Sequence, residues 1–172
     1  ATYEQTLKII FSNDAFGGFG SLNGGIFDDE VNLEYYEADM RRYYANIVGK
    51  VAMMALKTIQ KVSTLEIKMI APSHGLIWRS NLQWVIDRYT AWSKHEAKEG
   101  VVIVYGSMYG NTGRMADIVA RGVAEAGVKE IKVYDVSKTE ESFIFSDIWQ
   151  YKGVILGACS HYGSLFPHLV GL

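Results

Sequence analysis

Cysteine, proline and positive charge are all scarce in this sequence, and each shortage closes off a class of protein. A single cysteine, Cys159, excludes an internal disulfide framework and a cysteine-rich metal site. One thiol suits a reducing cytosol, so a cytoplasmic location is expected. A formal net charge of −2 provides no basic stripe for a phosphodiester backbone, and nucleic acid is not an expected partner. No apolar run reaches the roughly 18 residues of a membrane span. The start, Ala1-Thr2-Tyr3-Glu4-Gln5, lacks the basic and then apolar pattern of a secretory signal. Proline occurs twice, at Pro72 and Pro167, and there are no internal repeats or low-complexity tracts.

What remains is globular in character. The 172 residues are 49% hydrophobic and 21% charged, enough for one ordinary domain or two small ones. Eleven tyrosines and four tryptophans suit a large core or an aromatic-lined cofactor site, and core is the commoner use.

Hydrophobic periodicity sets out an α/β order. Lys8-Ile9-Ile10-Phe11-Ser12 predicts a buried strand, and a glycine-rich loop follows from Gly17-Gly18-Phe19-Gly20 to Gly24-Gly25. Tyr36, Met40, Tyr44, Ile47, Val51, Ala55 and Ile59 predict one long amphipathic helix, with Gly49 a kink or close packing point. Residues 66–71 predict a strand ended by Pro72, and Leu82, Val85, Ile86, Tyr89 and Trp92 mark the apolar face of a second helix. The polar stretch 93–100 predicts a linker between domains. Beyond it, Val101-Val102-Ile103-Val104-Tyr105 predicts a strand buried on both faces. Met115, Ile118, Val119, Gly122, Val123 and Ala126 share one helix face, with Gly127 as C-cap. Residues 131–134 and 151–157 predict further strands, and Ser137 with Glu140 suits a capping box between them. Strand, helix, strand, helix, strand implies right-handed crossovers and a parallel sheet.

Ser107-Met108-Tyr109-Gly110-Asn111-Thr112 lies between a buried strand and a helix start. Unpaired N–H groups and the helix dipole favour an anion there. Gly110 permits close backbone approach, and Ser107, Asn111 and Thr112 offer side-chain donors. Without Lys or Arg in the loop, recognition is by neutral donors, which suits a flavin monophosphate better than a triphosphate. The three-glycine dinucleotide fingerprint is absent. The ordinary alternative is a strand-to-helix turn with Thr112 as N-cap.

This loop resembles the phosphate loop of flavodoxins. The third strand of the second half ends in Gly157-Ala158-Cys159-Ser160-His161-Tyr162-Gly163, and in flavodoxin-like domains the corresponding loop wraps the isoalloxazine. Both loops belong at the carboxyl ends of adjacent parallel strands, where open α/β sheets bind ligands. The resemblance implies FMN held by Ser107, Met108, Tyr109, Gly110, Asn111 and Thr112, with Ser160, Tyr162 and Gly163 as flavin contacts. His161 is open between a hydrogen bond to the flavin and a loop cap. Cys159 reads as an inert small apolar residue.

The first half carries Phe11-Ser12-Asn13-Asp14-Ala15-Phe16-Gly17 and Ala71-Pro72-Ser73-His74-Gly75. Taken singly, Asp14 reads as a turn former and His74 as a satisfied loop residue. Together, and with Phe27-Asp28-Asp29-Glu30-Val31, Tyr43-Tyr44-Ala45-Asn46-Ile47 and His74-Gly75-Leu76-Ile77-Trp78-Arg79, they resemble flavodiiron proteins over nearly the whole chain. The resemblance implies an α/β chain in which residues 1–97 are the C-terminal part of a metallo-β-lactamase-like αββα domain. Residues 98–172 are then the first half of a flavodoxin-like doubly wound parallel sheet. It implies two non-haem irons, with Asp14 as the bridging carboxylate and His74 as a terminal ligand. The family's other ligands come from an upstream His-x-Glu-x-Asp-His motif and a further histidine, which His95, His161 and His168 do not supply, so a longer protein is expected. The implied activity is reduction of dioxygen to water or nitric oxide to nitrous oxide, in a head-to-tail homodimer or dimer of dimers. Rubredoxin or a reduced deazaflavin would donate the electrons. Two other readings remain: an FMN-binding electron carrier without gas chemistry, and a zinc hydrolase of the metallo-β-lactamase class fused to a flavodoxin-like module.

Overall fold

One parallel strand pair in the first half of the chain and two in the second organise the computed structural model, which describes residues 1–20 and 24–172. The chain divides into two units, Ala1–Glu96 and Ala97–Leu172. Part of the expected glycine-rich loop, residues 21–23, lies outside the described residues.

In the first unit β1 (Thr2–Glu4) pairs antiparallel with β2 (Ile9–Asn13), and β2 pairs in parallel with β3 (Met69–Pro72). β1 was not expected, since three residues carry no readable alternation. β3 starts later than expected and takes in Pro72 as its last residue. The single long helix is a correction. It is α1 (Leu33–Tyr43), a π-helical turn at Tyr44–Val48, a 3-10 turn at Gly49–Val51, and α2 (Ala52–Val62). The π turn inserts one residue, so the buried face slips by one position: Val48 and Ala52 are buried, while the expected Ile47 and Val51 are exposed. Gly49 sits at the break. α3 (Leu82–Ser93) completes the unit around a core that includes Met40, Tyr43, Tyr44, Leu76, Trp78, Val85 and Tyr89. Ser93, expected in a linker, is the last helical residue and is buried against Tyr44, whose hydroxyl lies 2.9 Å from its own.

In the second unit β4 (Lys98–Gly106), β5 (Ile131–Asp135) and β6 (Tyr151–Ala158) form a parallel sheet in the order β5-β4-β6. The expected linker is therefore shorter, because Lys98–Gly100 already belong to β4. α4 (Asn111–Glu125) packs on one face. α5 (Glu141–Gln150) and α6 (Pro167–Gly171) cover Val102 and Val104 on the other. Gly127, at φ +92°, takes the left-handed position just past α4, as its sequence position suggested. The capping box is corrected: Glu140 caps α5 by accepting from Ser142 N, while Ser137 hydrogen-bonds Asp135. The chain leaves β6 into a hairpin of β7 (Ser160–His161) and β8 (Ser164–Leu165).

Candidate functional site

Parallel pairing of β2 and β3 puts their carboxyl ends side by side, and Asp14 and His74 are among the first residues past those ends. Sixty positions apart in sequence, they meet with His74 Nε2 3.9 Å from Asp14 Oδ1. Both side chains are open, at 60% and 62% exposure, while the backbone beneath is held firmly. Ser73 N donates to Asn13 O at 2.8 Å, and Gly18 N donates to His74 O at 3.3 Å. Trp78 Nε1 donates to Phe16 O, and the Tyr89 hydroxyl to Gly17 O.

Tyr43 donates its hydroxyl to Asp14 Oδ1 at 3.3 Å, and its ring centroid lies 5.9 Å from that of His74. Burial, and next the Asp14 charge, push the Tyr43 phenol well above its ordinary value. It is a neutral donor at physiological pH. The sequence showed Tyr43 only as part of a string on a helix, 29 positions from Asp14, and no local signal linked the two. A carboxylate oxygen and an imidazole nitrogen at this spacing fit two donors of a mixed oxygen and nitrogen iron site. No cluster of three or more His, Cys, Asp or Glu forms among the described residues, so the pair fits part of such a site.

The second unit offers backbone rather than side chains. Gly110, at φ +84°, is the N-cap of α4, so Asn111 and Thr112 are its first two residues and Thr112 is not the cap. No side chain caps this end, and the first-turn N–H groups face the loop without intrahelical partners. The Ser107 hydroxyl is buried and has no hydrogen-bond partner among the described residues, an orphan that an incoming phosphate oxygen would satisfy. Met108 and Tyr109 are exposed. The loop opens on a cleft of about 410 Å³ that also takes in Arg114 and Lys138. These two cations were missed because they lie outside the loop string. Lys138 is paired with Asp135. Burial works against the Asp135 charge, yet hydrogen bonds from Ser137 and Lys138 outweigh it and lower its pKa.

The adjacent strand β6 brings up the other predicted loop, with Cys159 N donating to Gly106 O. Within this loop the chain forms a tight hairpin turned by Tyr162 and Gly163, at φ +47° and +76°. Two left-handed residues in succession are what a two-residue hairpin requires. Tyr162 is 96% exposed, and His161 meets its ring edge-on at 4.5 Å. Ser160 and His161 lie in the strand leading into that turn.

Residues 103–167 match the flavodoxin family. The match lies within the second unit, whose parallel α/β sheet fits a flavodoxin-like domain. Over 98% of its length the chain is 37% identical to an uncharacterized protein of Methanocaldococcus jannaschii, covering 42% of that protein. It is 33% identical to the anaerobic nitric oxide reductase flavorubredoxin of Vibrio vulnificus, matching 99% of the chain and 35% of the relative. Rubredoxin:oxygen oxidoreductase from Desulfovibrio gigas superposes with a TM-score of 0.91 at 29% identity, over 98% of this chain and 43% of that one. The chain thus spans about two fifths of the length of the relatives it resembles.

Proposed function

We propose that this chain is part of a flavodiiron oxidoreductase in which FMN passes electrons to a non-haem diiron site that reduces dioxygen to water, nitric oxide to nitrous oxide, or both. The observation that carries the reading is the meeting of Asp14 and His74 at the ends of β2 and β3, in a chain whose other unit is flavodoxin-like. Similarity to a nitric oxide reductase flavorubredoxin and to a rubredoxin:oxygen oxidoreductase supports both substrate classes and a rubredoxin-type donor. In this reading residues 1–97 are the C-terminal portion of a metallo-β-lactamase-like domain and 98–172 the first part of the flavodoxin-like one.

Asp14 would hold iron through its carboxylate and His74 through its imidazole, with Tyr43 donating a hydrogen bond to Asp14. That hydrogen bond orients one oxygen of the carboxylate. Iron, when bound, supplies the redox centre at which the gas is reduced. The N-terminus of α4 and the hydroxyls of Ser107 and Thr112 would hold the FMN phosphate. Met108, Tyr109, Gly110 and Asn111 form the rest of its cradle. Ser160, His161, Tyr162 and Gly163 shape the flavin end, and such contacts tune the cofactor's potential. The remaining iron ligands come from elsewhere in the polypeptide, and the assembly is a cytoplasmic head-to-tail homodimer. No helix among the described residues is long and apolar enough to cross a membrane.

Metal and flavin analysis of the purified full-length protein tests this. The expected result is about two irons and one FMN per chain, with gas consumption on reduction. Zinc or no metal overturns it. Bound FMN without iron or gas consumption favours an electron carrier instead.

A further inference from the structure

The loops that carry Asp14 and His74 touch through glycines, and one phenol fills the notch where they meet. Tyr36 projects from α1 and is buried, and its hydroxyl oxygen accepts the N–H of Leu76 at 3.3 Å, two residues past His74. A β-carbon added to Gly18 would fall on that same oxygen, and so would one added to Gly75. At Gly75 it would also come within 2.8 Å of Gly18 N and 2.9 Å of Gly18 O. Gly75 takes φ +80°, which turns the chain so that His74 points out while its carbonyl points back to Gly18 N. Both glycines are thus required by the phenol and by the close approach of the two backbones. The ring is braced by Trp78, whose centroid lies 6.1 Å away and whose indole N–H holds Phe16 O in the Asp14 loop.

We propose that Tyr36 is the positioning residue of the Asp14 and His74 pair. Its oxygen, wedged between Gly18 and Gly75, fixes the height of the His74 loop over Asp14 and so the spacing of the two donors. This rests on reading the pair as iron donors. Tyr36 touches neither donor side chain in the contacts described above; it acts through the backbone of their loops.

The test uses the full-length protein in three variants: Tyr36→Phe, His74→Ala and Tyr44→Phe. Tyr44→Phe removes a buried hydroxyl that lies 2.9 Å from that of Ser93 in α3. Three quantities are read: the rate of ferrous iron release to a chelator, the ligand-field spectrum after cobalt(II) substitution, and the melting temperature. Tyr36→Phe is expected to release iron about tenfold faster and to shift the cobalt bands, as loss of outer support does at metal sites. Tyr44→Phe, with a comparable change in melting temperature, is expected to keep the wild-type rate and spectrum. The proposal is overturned if Tyr36→Phe keeps both, or if Tyr44→Phe changes them equally, because global loosening then accounts for the effect. His74→Ala separates the two levels: if it holds iron as the wild type does, the metal reading of the pair fails whatever Tyr36→Phe does.

Discussion

The two units build their candidate sites from opposite materials. In the first, a closed aromatic core with Trp78, Tyr43, Tyr44 and Tyr89 fully buried presents two chosen side chains on rigid loops. In the second, a helix end and left-handed turns present backbone, and the surrounding apolar surface is open. Met115 and Ile118 of α4 are 64% and 67% exposed, and Leu156 of β6 is 59% exposed. The difference teaches where identity matters. A metal donor has to be a particular side chain at a particular point, so it needs a stiff frame. An anion cradle made of N–H groups tolerates varied side chains and needs only the turn.

The sharpest way to break the comparison is to attack the frame of the first unit away from its site. Asp28 is 1% exposed and accepts from the backbone N–H groups of Arg79, Ser80 and Asn81 and from Asn81 Nδ2. It ties the segment after the His74 loop to the start of α3. Asp28→Ala strands these donors and is expected to cost about 3–5 kcal/mol in urea denaturation. A loss below about 1 kcal/mol would show that the frame is not rigid.

Alkaline titration probes the same core more gently. Burial raises the Tyr36 pKa from 10.0 to about 12. The neutral phenol is therefore favoured in the folded state, and the unfolded chain loses its proton first as pH rises. This stabilisation is complete below pH 10 and is lost between 10 and about 12, about 2–3 kcal/mol for the two-unit shift. Tyr43, Tyr44 and Tyr89 are shifted in the same direction, each with burial as the leading cause. Denaturation midpoints at pH 9, 10 and 11 should fall only over the upper interval. A decline that begins below pH 9 would contradict it.

The smallest effect is expected in the second unit. Ser107→Ala removes an unpartnered buried hydroxyl, so the stability of the ligand-free chain should stay within about 0.5 kcal/mol or rise. Affinity for FMN should drop about two- to tenfold, the worth of one hydrogen bond to the phosphate. Flavin fluorescence titration measures it. Unchanged affinity would remove Ser107 from the cradle.

Much of the second unit was legible because β4 carries the apolar run Val101–Tyr105 and a glycine stands at either end of α4, Gly110 and Gly127. The phosphate loop was readable for the same reason: its signal is local. The hairpin at residues 160–165 was not, since Tyr162 in a left-handed turn is an unfavourable choice that propensity argues against. In the first unit the strings around Asp14 and His74 stood out, yet Tyr36 read simply as one apolar position on a helix. Asp28 read as one acid among Asp28, Asp29 and Glu30. Its partners lie more than fifty positions away, and no local pattern announces them.

The sequence by itself determined the α/β order, the anion loop at the start of α4, and which acid and which histidine follow strands. The order of the strands, the 3.9 Å between Asp14 and His74, and the lodging of Tyr36 between two glycines were decided only in the tertiary structure. The physical reason is range. Periodicity and turn chemistry act within a few residues, whereas parallel pairing and close backbone contact depend on groups that folding alone brings together.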